Sequence, residues 1–263
     1  MKCACADLWA HPVAQLLAGP TLRPGGRELT GRVLDHVGLP PGAHVLDLGS
    51  GNGATLSELA SRRLAAFGVD YSAALAAQAG EIGPVAVGDA EVLPYRAGAF
   101  EAVLAECVFS ALPDKHAALG EARRVLAAGG SIGLTDVVVN AEFPEPLQSL
   151  AAWAACVGGA LSGDSYEALL RAHGFAPSLR EDASAALAAL VSQAERRLAM
   201  LRGAMGVGVL DDVGALFGAD LDRLGLPTSP LELAGLADVV FAQAREAIER
   251  GELGYVALVA TLV

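Results

Sequence analysis

Short apolar runs alternate with amphipathic stretches between residues 43 and 139 of this 263-residue chain. Runs that are apolar throughout are typical of strands buried on both faces of a parallel sheet. Helical spacing of apolar residues separates them, so strand and helix alternate along the chain. The predicted strands are His44–Leu48, Ala65–Val69, Val85–Val87, Ala102–Ala105 and Ile132–Val138.

Helical spacing also predicts the elements between and before these strands. Thr55–Leu64 and His116–Leu126 carry it inside the repeated region, and the second pattern stops at Gly129-Gly130, as helices often end at glycine. Leu8–Ala18 and Arg27–Val37 carry it upstream, where prolines punctuate the links. We expect these two upstream helices to cap a cleft.

The chain after residue 139 predicts a mostly helical region that returns to the sheet at its end. Helical spacing covers 147–161 and Tyr166–Ala172, and Ala176–Arg180 is a candidate strand. The segment 183–250 is rich in Ala, Leu, Glu and Arg at helical spacing. The apolar closing segment Gly254–Val263 is long enough to add a last strand to the sheet.

These elements predict a Rossmann-like, doubly wound α/β fold. Its seven-stranded sheet is mostly parallel, with N-terminal helices and a C-terminal helical insertion before the last strand. We divide the chain into an N-terminal helical cap (1–40), a ligand-binding core (41–182), a helical lid or interaction subdomain (183–250) and the final strand of the core sheet (251–263).

Composition narrows the classes of protein that fit this pattern. Hydrophobic residues make up 53% of the chain and charged residues 18%, which excludes a disordered chain because such a composition buries ample apolar surface. The formal charge is −12 and the sequence has no basic run, which argues against a nucleic-acid partner. A small-molecule substrate is the better expectation.

The first residues and the longest apolar stretch argue against export and against a membrane span. Asp7, His11 and Pro12 interrupt the segment in which an export signal needs continuous apolar residues. The stretch 147–161 is shorter than the roughly 18 apolar residues of a membrane span. We therefore expect a cytoplasmic protein without a membrane partner, whose four cysteines are free thiols.

The strongest local motif is Val45–Gly53, with the sequence VLDLGSGNG, which ends the first predicted strand and opens a helix. Gly49, Ser50 and Gly51 form its turn, where glycine permits a sharp bend and the close approach of a ligand to the backbone. The loop lacks a third glycine at the dinucleotide spacing, so a dinucleotide oxidoreductase is disfavoured. The preceding acid, Asp47, suits a cationic ligand better than a pyrophosphate.

Two further acids end the next two strands. Asp70 follows the loop by about twenty residues, and a carboxylate at the end of the second strand can accept hydrogen bonds from a ribose diol. Asp89 closes the third strand and is followed by Ala90. Tyr71, next to Asp70, can stack near a ligand or pack in the core, and both interpretations stay open.

This order of motifs resembles the class I S-adenosylmethionine-dependent methyltransferases over most of residues 27–140. The resemblance implies S-adenosylmethionine as cofactor and S-adenosylhomocysteine as product, with the methionine part on the glycine loop, the ribose on Asp70 and the adenine beside Asp89 and Ala90. No catalytic metal ion is expected, because a sulfonium methyl is already activated. The implied cofactor ligands are Asp47, Gly49, Ser50, Gly51, Asp70, Tyr71, Asp89, Ala90 and Glu106.

Cys107 and Cys156 follow the fourth and fifth predicted strands, near the edge where ligands bind in open α/β sheets. A free cysteine also packs as a small hydrophobe, so for each residue alone both interpretations stay open. Together the segments CVFSALPDK and CVGGAL resemble the arsenite methyltransferase branch, in which cysteines at both positions bind trivalent arsenic. The resemblance implies that Cys107 and Cys156 hold a trivalent arsenical through soft thiolate ligands.

One part of that resemblance is missing. Members of the branch usually carry further cysteines upstream, one of them in a Gly-Cys-Gly setting, whereas the matching stretch Ala18–Gly26 has none. Cys3 and Cys5 are the only upstream thiols, and they are either a replacement third ligand or a frayed terminus without a role. With two thiolates, a monomethylated arsenical fits better than inorganic arsenite.

Glu106 has two further interpretations, as a general base toward a hydroxyl or amine and as a solvated strand end. Three functions therefore stay open. The first is methylation of a trivalent arsenical. The second is methylation of a small organic thiol, selenol, hydroxyl or amine, and the third is a non-catalytic protein that binds S-adenosylmethionine. Cys107 and Cys156 distinguish the first from the second.

Overall fold

The computed structural model describes residues 6, 9–10, 12–141, 156–205 and 230–263. Its strands are β1 (His44–Leu48), β2 (Ala65–Asp70), β3 (Val85–Val87), β4 (Phe100–Glu106), β5 (Leu126–Val139), β6 (Phe175–Asp182) and β7 (Leu253–Leu262). Its α-helices are α1 (Pro12–Ala18), α2 (Gly26–Val37), α3 (Ala54–Ser61), α4 (Ala73–Ala79), α5 (Lys115–Val125), α6 (Gly163–Ala172), α7 (Ser184–Met205) and α8 (Pro230–Glu249).

The strands form one sheet in the order β3, β2, β1, β4, β5, β7, β6. Neighbours from β3 to β5 are parallel, and β7 runs antiparallel between β5 and β6. The predicted Rossmann-like, mostly parallel seven-stranded sheet is therefore confirmed. The chain order of the strands reverses between β1 and β4, and such a reversal opens a crevice at the carboxyl ends of the strands.

Both faces of the sheet are buried, which explains the uninterrupted apolar runs of its central strands. Leu46 of β1 and Val103 of β4 belong to one hydrophobic cluster, whereas their neighbours Val45 and Leu104 belong to a second. All four side chains are fully buried. Because alternate side chains of a strand point to opposite faces, the two clusters hold β1 and β4 between them.

Helices α7 and α8 lie between β6 and β7 in the chain, where the sequence predicts a helical insertion. Helix α1 packs on α7, and Arg197 Nη1 donates to the Leu17 carbonyl at 2.8 Å. No helix within the described ranges is long and apolar enough to cross a membrane. The division into cap, core, lid and final strand stays a prediction.

The predicted helix His116–Leu126 is confirmed within one residue at each end, but the prediction that it ends at Gly129-Gly130 is wrong. Helix α5 ends directly before β5, and β5 runs through both glycines. The pairing between β4 and β5 changes register between Phe100 and Ala102. A β-carbon at the second glycine would lie 2.9 Å from the Ala127 carbonyl oxygen, so the glycines serve an irregularity of the strand.

The predicted helix over 147–161 is also wrong in the part that the structure describes. Residues 156–161 are not helical. The Val139 N–H donates to the Leu161 carbonyl at 3.1 Å, and Leu161 forms an isolated parallel bridge with Val138. Pairing with β5 thus replaces helical hydrogen bonds. Residues 147–155 lie outside the described residues.

Candidate active site

A cleft at the carboxyl ends of β1, β2 and β4 encloses about 1040 Å³, including space open to solvent. It lies at the reversal of strand order, where ligands bind in open α/β sheets. The predicted ligands that line it are Gly49, Ser50, Gly51, Asp70, Tyr71, Asp89, Ala90, Glu106, Cys107 and Cys156. The structure thus brings the glycine loop, the strand-end acids and both thiols into one cleft.

The loop between β1 and α3 needs glycine because of its backbone and its surroundings. Gly49 has a φ of 74°, in the left-handed region, and a β-carbon there would lie 2.5 Å from Val108 Cγ2. The N–H groups of Gly49 and Ser50 donate to the Val69 carbonyl at 2.8 and 3.0 Å, which fixes the turn against β2. A ligand in the cleft can therefore approach the backbone of this loop closely.

Asp70, the last residue of β2, supports the same loop. Its Oδ2 accepts a hydrogen bond from the Gly51 N–H at 2.7 Å, and its Oδ1 accepts one from the Ser72 N–H at 2.8 Å. Burial raises the pKa of this carboxyl, although both hydrogen bonds oppose the shift. Each carboxylate oxygen keeps a further lone pair, so Asp70 can also accept hydrogen bonds from a diol in the cleft.

Asp47 lies behind the cleft wall rather than among the residues that line it. Its side chain is 2% exposed, and Oδ2 has no hydrogen-bond partner within the described part of the chain. Burial raises the pKa of Asp47 well above its usual value, the charge of Glu106 adds to the shift, and Arg23 opposes it. Asp47 therefore does not line the cleft, and its predicted role as a cofactor ligand stays a prediction.

The far end of the cleft is formed by the segments that follow β2 and β3. Asp89 Oδ1 accepts a hydrogen bond from the Glu91 N–H at 2.9 Å, which closes a turn. Tyr71 is 45% exposed and lines the cleft, so it is not a core residue. An exposed aromatic ring in this position can stack on a planar ring of a ligand.

Glu106, the last residue of β4, is not a solvated strand end, and that interpretation is wrong. Its side chain is 5% exposed, and Arg23 Nη2 lies 3.0 Å from Oε2 in a buried ion pair. The Thr30 hydroxyl donates to Oε1 at 2.8 Å, and the Thr55 hydroxyl donates to Oε2 at 2.6 Å. Both carboxylate oxygens therefore already hold donors, which leaves a general base poorly placed to take a proton.

Cys107 and Cys156 lie side by side. The Cys156 thiol donates to the Cys107 carbonyl oxygen at 3.7 Å. A hydrogen bond between the two side chains raises the pKa of Cys107 well above its usual value, and burial adds to the shift. The φ angles are 60° for Cys107 and 64° for Cys156, values that are uncommon outside glycine and that cluster at functional sites.

Polar groups from β5 and β7 lie next to Cys107. The Thr135 carbonyl accepts a hydrogen bond from the Cys107 N–H at 2.7 Å, and the hydroxyls of Thr135 and Tyr255 are 3.0 Å apart. A hydrogen bond with Tyr255 lowers the pKa of Cys107 against the larger opposing effects. Asp136 is fully buried, and burial raises its pKa to about 6.

Several residues of this site are not found by reasoning from the sequence. The sequence analysis places Asp136 and Tyr255 only within predicted strands. An acid inside an apolar strand nevertheless indicates a buried polar group that needs partners. Arg23 and Trp9 line the cleft from the N-terminal region without any local motif. Cys3 and Cys5 lie outside the described residues. Within the described ranges, no group of three or more His, Cys, Asp or Glu side chains is placed to hold a metal ion.

Comparison with known proteins agrees with this geometry. Residues 46–134 match the family model described as the methyltransferase domain. The arsenite methyltransferase of Aquipseudomonas alcaligenes is 34% identical over 161 residues, which are 54% of this chain and 46% of that protein. The nocamycin O-methyltransferase of Saccharothrix syringae is 34% identical over 139 residues, which are 49% of this chain and 47% of that protein.

A solved structure shares the fold. Phosphoethanolamine N-methyltransferase 2 of Haemonchus contortus, in complex with phosphomonomethylethanolamine and S-adenosylhomocysteine, superposes with a TM-score of 0.74 at 18% identity. The match covers 95% of this chain and 56% of that one. The chain spans about half the length of the curated relatives it matches.

Proposed function

We propose that this chain, whose residues 46–134 match the methyltransferase domain, is a class I S-adenosylmethionine-dependent methyltransferase that transfers a methyl group from S-adenosylmethionine to a trivalent arsenical held by Cys107 and Cys156. The observation that carries the proposal is the placement of both thiols in the same cleft as Gly51 and Asp70. A methyl donor bound along the loop and an acceptor bound by the thiols would then share one cavity.

The thiols would take up the arsenical by exchange. Each exchange forms an As–S bond and breaks an As–O bond, and the thiol proton leaves with the hydroxide as water. A compound RAs(OH)₂ and two thiols therefore give a dithiolate complex and two water molecules. The overall exchange consumes protonated thiols and releases no free proton, so the raised pKa of Cys107 does not change its stoichiometry. Sulfur is a soft ligand that suits arsenic.

Methyl transfer then needs orientation more than proton transfer. Three-coordinate arsenic keeps a lone pair, which would form the As–C bond while the sulfonium C–S bond breaks with its electron pair on sulfur, so that the positive charge passes to a four-coordinate arsenic. S-adenosylhomocysteine is the leaving product. No base is required, which fits the occupied carboxylate of Glu106. Orientation of two bound reactants can supply roughly 7–11 kcal/mol of such a barrier.

The number of thiols favours an arsenical that already carries one organic group. Cys107 and Cys156 are the cysteines within the described residues, and two As–S bonds plus one As–C bond complete a three-coordinate arsenic. Inorganic arsenite on two thiolates would keep a hydroxyl as its third substituent, and Cys3 and Cys5 are the remaining candidates for a third thiolate. We therefore propose monomethylated arsenic(III) as the better substrate.

A small organic acceptor is the second candidate. The O-methyltransferase relative has the same percentage identity to this chain as the arsenite methyltransferase relative, 34%, over 139 rather than 161 residues. Part of the cleft wall is apolar, with Leu22, Val108 and Leu112. An organic thiol, hydroxyl or amine could pack on this wall without using both cysteines.

The test is a methylation assay with mass-spectrometric detection against monomethylated arsenic(III), arsenite, a small thiol and a selenol in parallel. Cys107→Ser and Cys156→Ser should each abolish arsenical methylation, because serine keeps the size but is a hard, poorly acidic ligand. Binding of S-adenosylhomocysteine, measured by calorimetry, should stay near wild type in both variants. Full arsenical activity in the double variant, or wild-type activity on the organic thiol alone, would refute the arsenical assignment.

A further inference from the structure

Glu106 joins four separate segments of the cleft wall through one buried carboxylate. Arg23 comes from the link before α2, Thr30 from α2 and Thr55 from the first turn of α3, while Glu106 itself ends β4. Arg23 Nη2 also donates to the Thr30 hydroxyl at 2.6 Å, so the group is a connected network rather than three separate bonds. We name Arg23, Thr30, Thr55 and Glu106 the Glu106 network.

The segment that carries Arg23 lies over the glycine loop. The Asn52 side-chain amide donates to the Pro20 carbonyl at 2.9 Å. Leu22 Cδ1 lies 3.9 Å from the position of a β-carbon on Gly51, and Leu22 itself has a φ of 55°. Residues 21–23 line the cleft, so this segment forms a wall above the proposed cofactor site.

The network also reaches the thiols through the chain, because Glu106 directly precedes Cys107. The Cys107 backbone is in the left-handed region, which is unfavourable for a residue with a β-carbon and persists only where the surroundings enforce it. On one side the Cys107 N–H is bonded to the Thr135 carbonyl at 2.7 Å. On the other side, the preceding residue Glu106 is held by the ion pair and the hydrogen bonds of its carboxylate.

We propose that Glu106 is a positioning residue, which fixes the wall segment over the cofactor and fixes Cys107 toward the bound methyl donor. The inference rests on the proposed function for the identity of the bound molecules. It differs from the three interpretations in the sequence analysis, a cofactor ligand, a general base and a solvated strand end. The Glu106 carboxylate would then set both the affinity for the cofactor and the accessibility of the Cys107 thiol.

The mild variants Thr30→Val and Thr55→Val test this, because valine has nearly the shape of threonine but donates no hydrogen bond. Each should weaken S-adenosylhomocysteine binding about threefold to tenfold, because the wall segment would lose part of the network that holds it over the cofactor site. Each should also speed the alkylation of Cys107 by N-ethylmaleimide severalfold, because the wall segment would cover the thiol less. Peptide mass mapping measures the extent of alkylation at Cys107. Thr261→Val, which loses a bond of 3.3 Å to Ser131 far from the cleft, is the matched control and should change neither reading.

Glu106→Gln is the stronger test, since it leaves the buried Arg23 charge without its counter-ion. We expect a larger loss of cofactor affinity and, for arsenical methylation, a fall in kcat that exceeds the rise in KM. Because this variant can also lose stability, the threonine variants decide the matter if it does not fold.

Wild-type cofactor affinity and wild-type Cys107 alkylation in Thr30→Val and Thr55→Val, with only a lower Tm, would overturn the inference and leave a purely structural network. The two proposals are separable. If the wild type methylates no arsenical, the proposed function fails, whereas the affinity and alkylation readings still decide the role of Glu106.

Discussion

Asp136→Asn tests the electrostatics of the residues around Cys107. Asp136 is fully buried, and its Oδ2 accepts a hydrogen bond from the Ser110 N–H at 3.0 Å. Burial raises its pKa to about 6 from the usual 3.8. An acid with a higher pKa in the folded state binds its proton more tightly there, so its contribution favours folding at low pH and is lost as the pH rises through 6. At 1.36 kcal/mol per pKa unit, the full effect is about 3 kcal/mol.

The assay is urea unfolding of the wild type and of Asp136→Asn at pH 4.5, 6.0 and 7.5. At pH 4.5 the folded wild type is mostly protonated at this position while its unfolded chain is mostly ionised. The free energy of unfolding of the wild type, minus that of the variant, should therefore rise by about 2 kcal/mol between pH 7.5 and pH 4.5. The asparagine side chain of the variant cannot titrate, and its amide oxygen can still accept from the Ser110 N–H.

The control is Asp35→Asn, an aspartate with a 69% exposed side chain, whose effect on stability should change by less than about 1 kcal/mol over the same range. A difference between wild type and Asp136→Asn that stays constant at all three pH values would refute the reasoning. A wild type that loses stability relative to the variant at pH 4.5 would show that the folded pKa is lowered instead.

Three further predictions concern the loop, the cofactor and the thiol. Gly49→Ala should lower the free energy of unfolding by about 2–5 kcal/mol in urea titrations, because φ is positive there and a β-carbon would collide with Val108. The control Gly42→Ala, with a φ of 85° and no neighbour within 4 Å, should lower it by only about 1–2 kcal/mol. Asp70→Ala should weaken S-adenosylhomocysteine binding by about 1.5–3 kcal/mol in calorimetry, and unchanged affinity would contradict the proposed cofactor site. Tyr255→Phe should raise the pKa of Cys107 further and move its maleimide pH–rate profile to higher pH, since it removes the hydrogen bond that lowers this pKa.

Much of the fold follows from local sequence. The central strands are apolar throughout because both faces of a parallel sheet are covered, and the structure has strands at each predicted position. Gly49, Gly51 and Asp70 could be assigned for a similar reason, since a turn after a strand and the acid at the end of the next strand depend on backbone that lies nearby in the sheet. The prediction that a helix ends at Gly129-Gly130 was wrong because the same dipeptide can end a helix or allow an irregular strand. Only the pairing with β4 decides between the two.

The role of Glu106 and the pairing of the thiols depend on the tertiary structure. Cys107 and Cys156 are 49 positions apart, and Glu106 is 76 positions from Thr30 and 51 from Thr55. The sequence alone determined that this chain has a glycine loop, strand-end acids and two cysteines near the ligand edge of a parallel sheet. The packing of distant segments decided which side chains meet, which carboxylate is buried among donors and which lies behind the loop. Burial and hydrogen bonding between side chains depend on where those segments come together and not on their spacing along the chain.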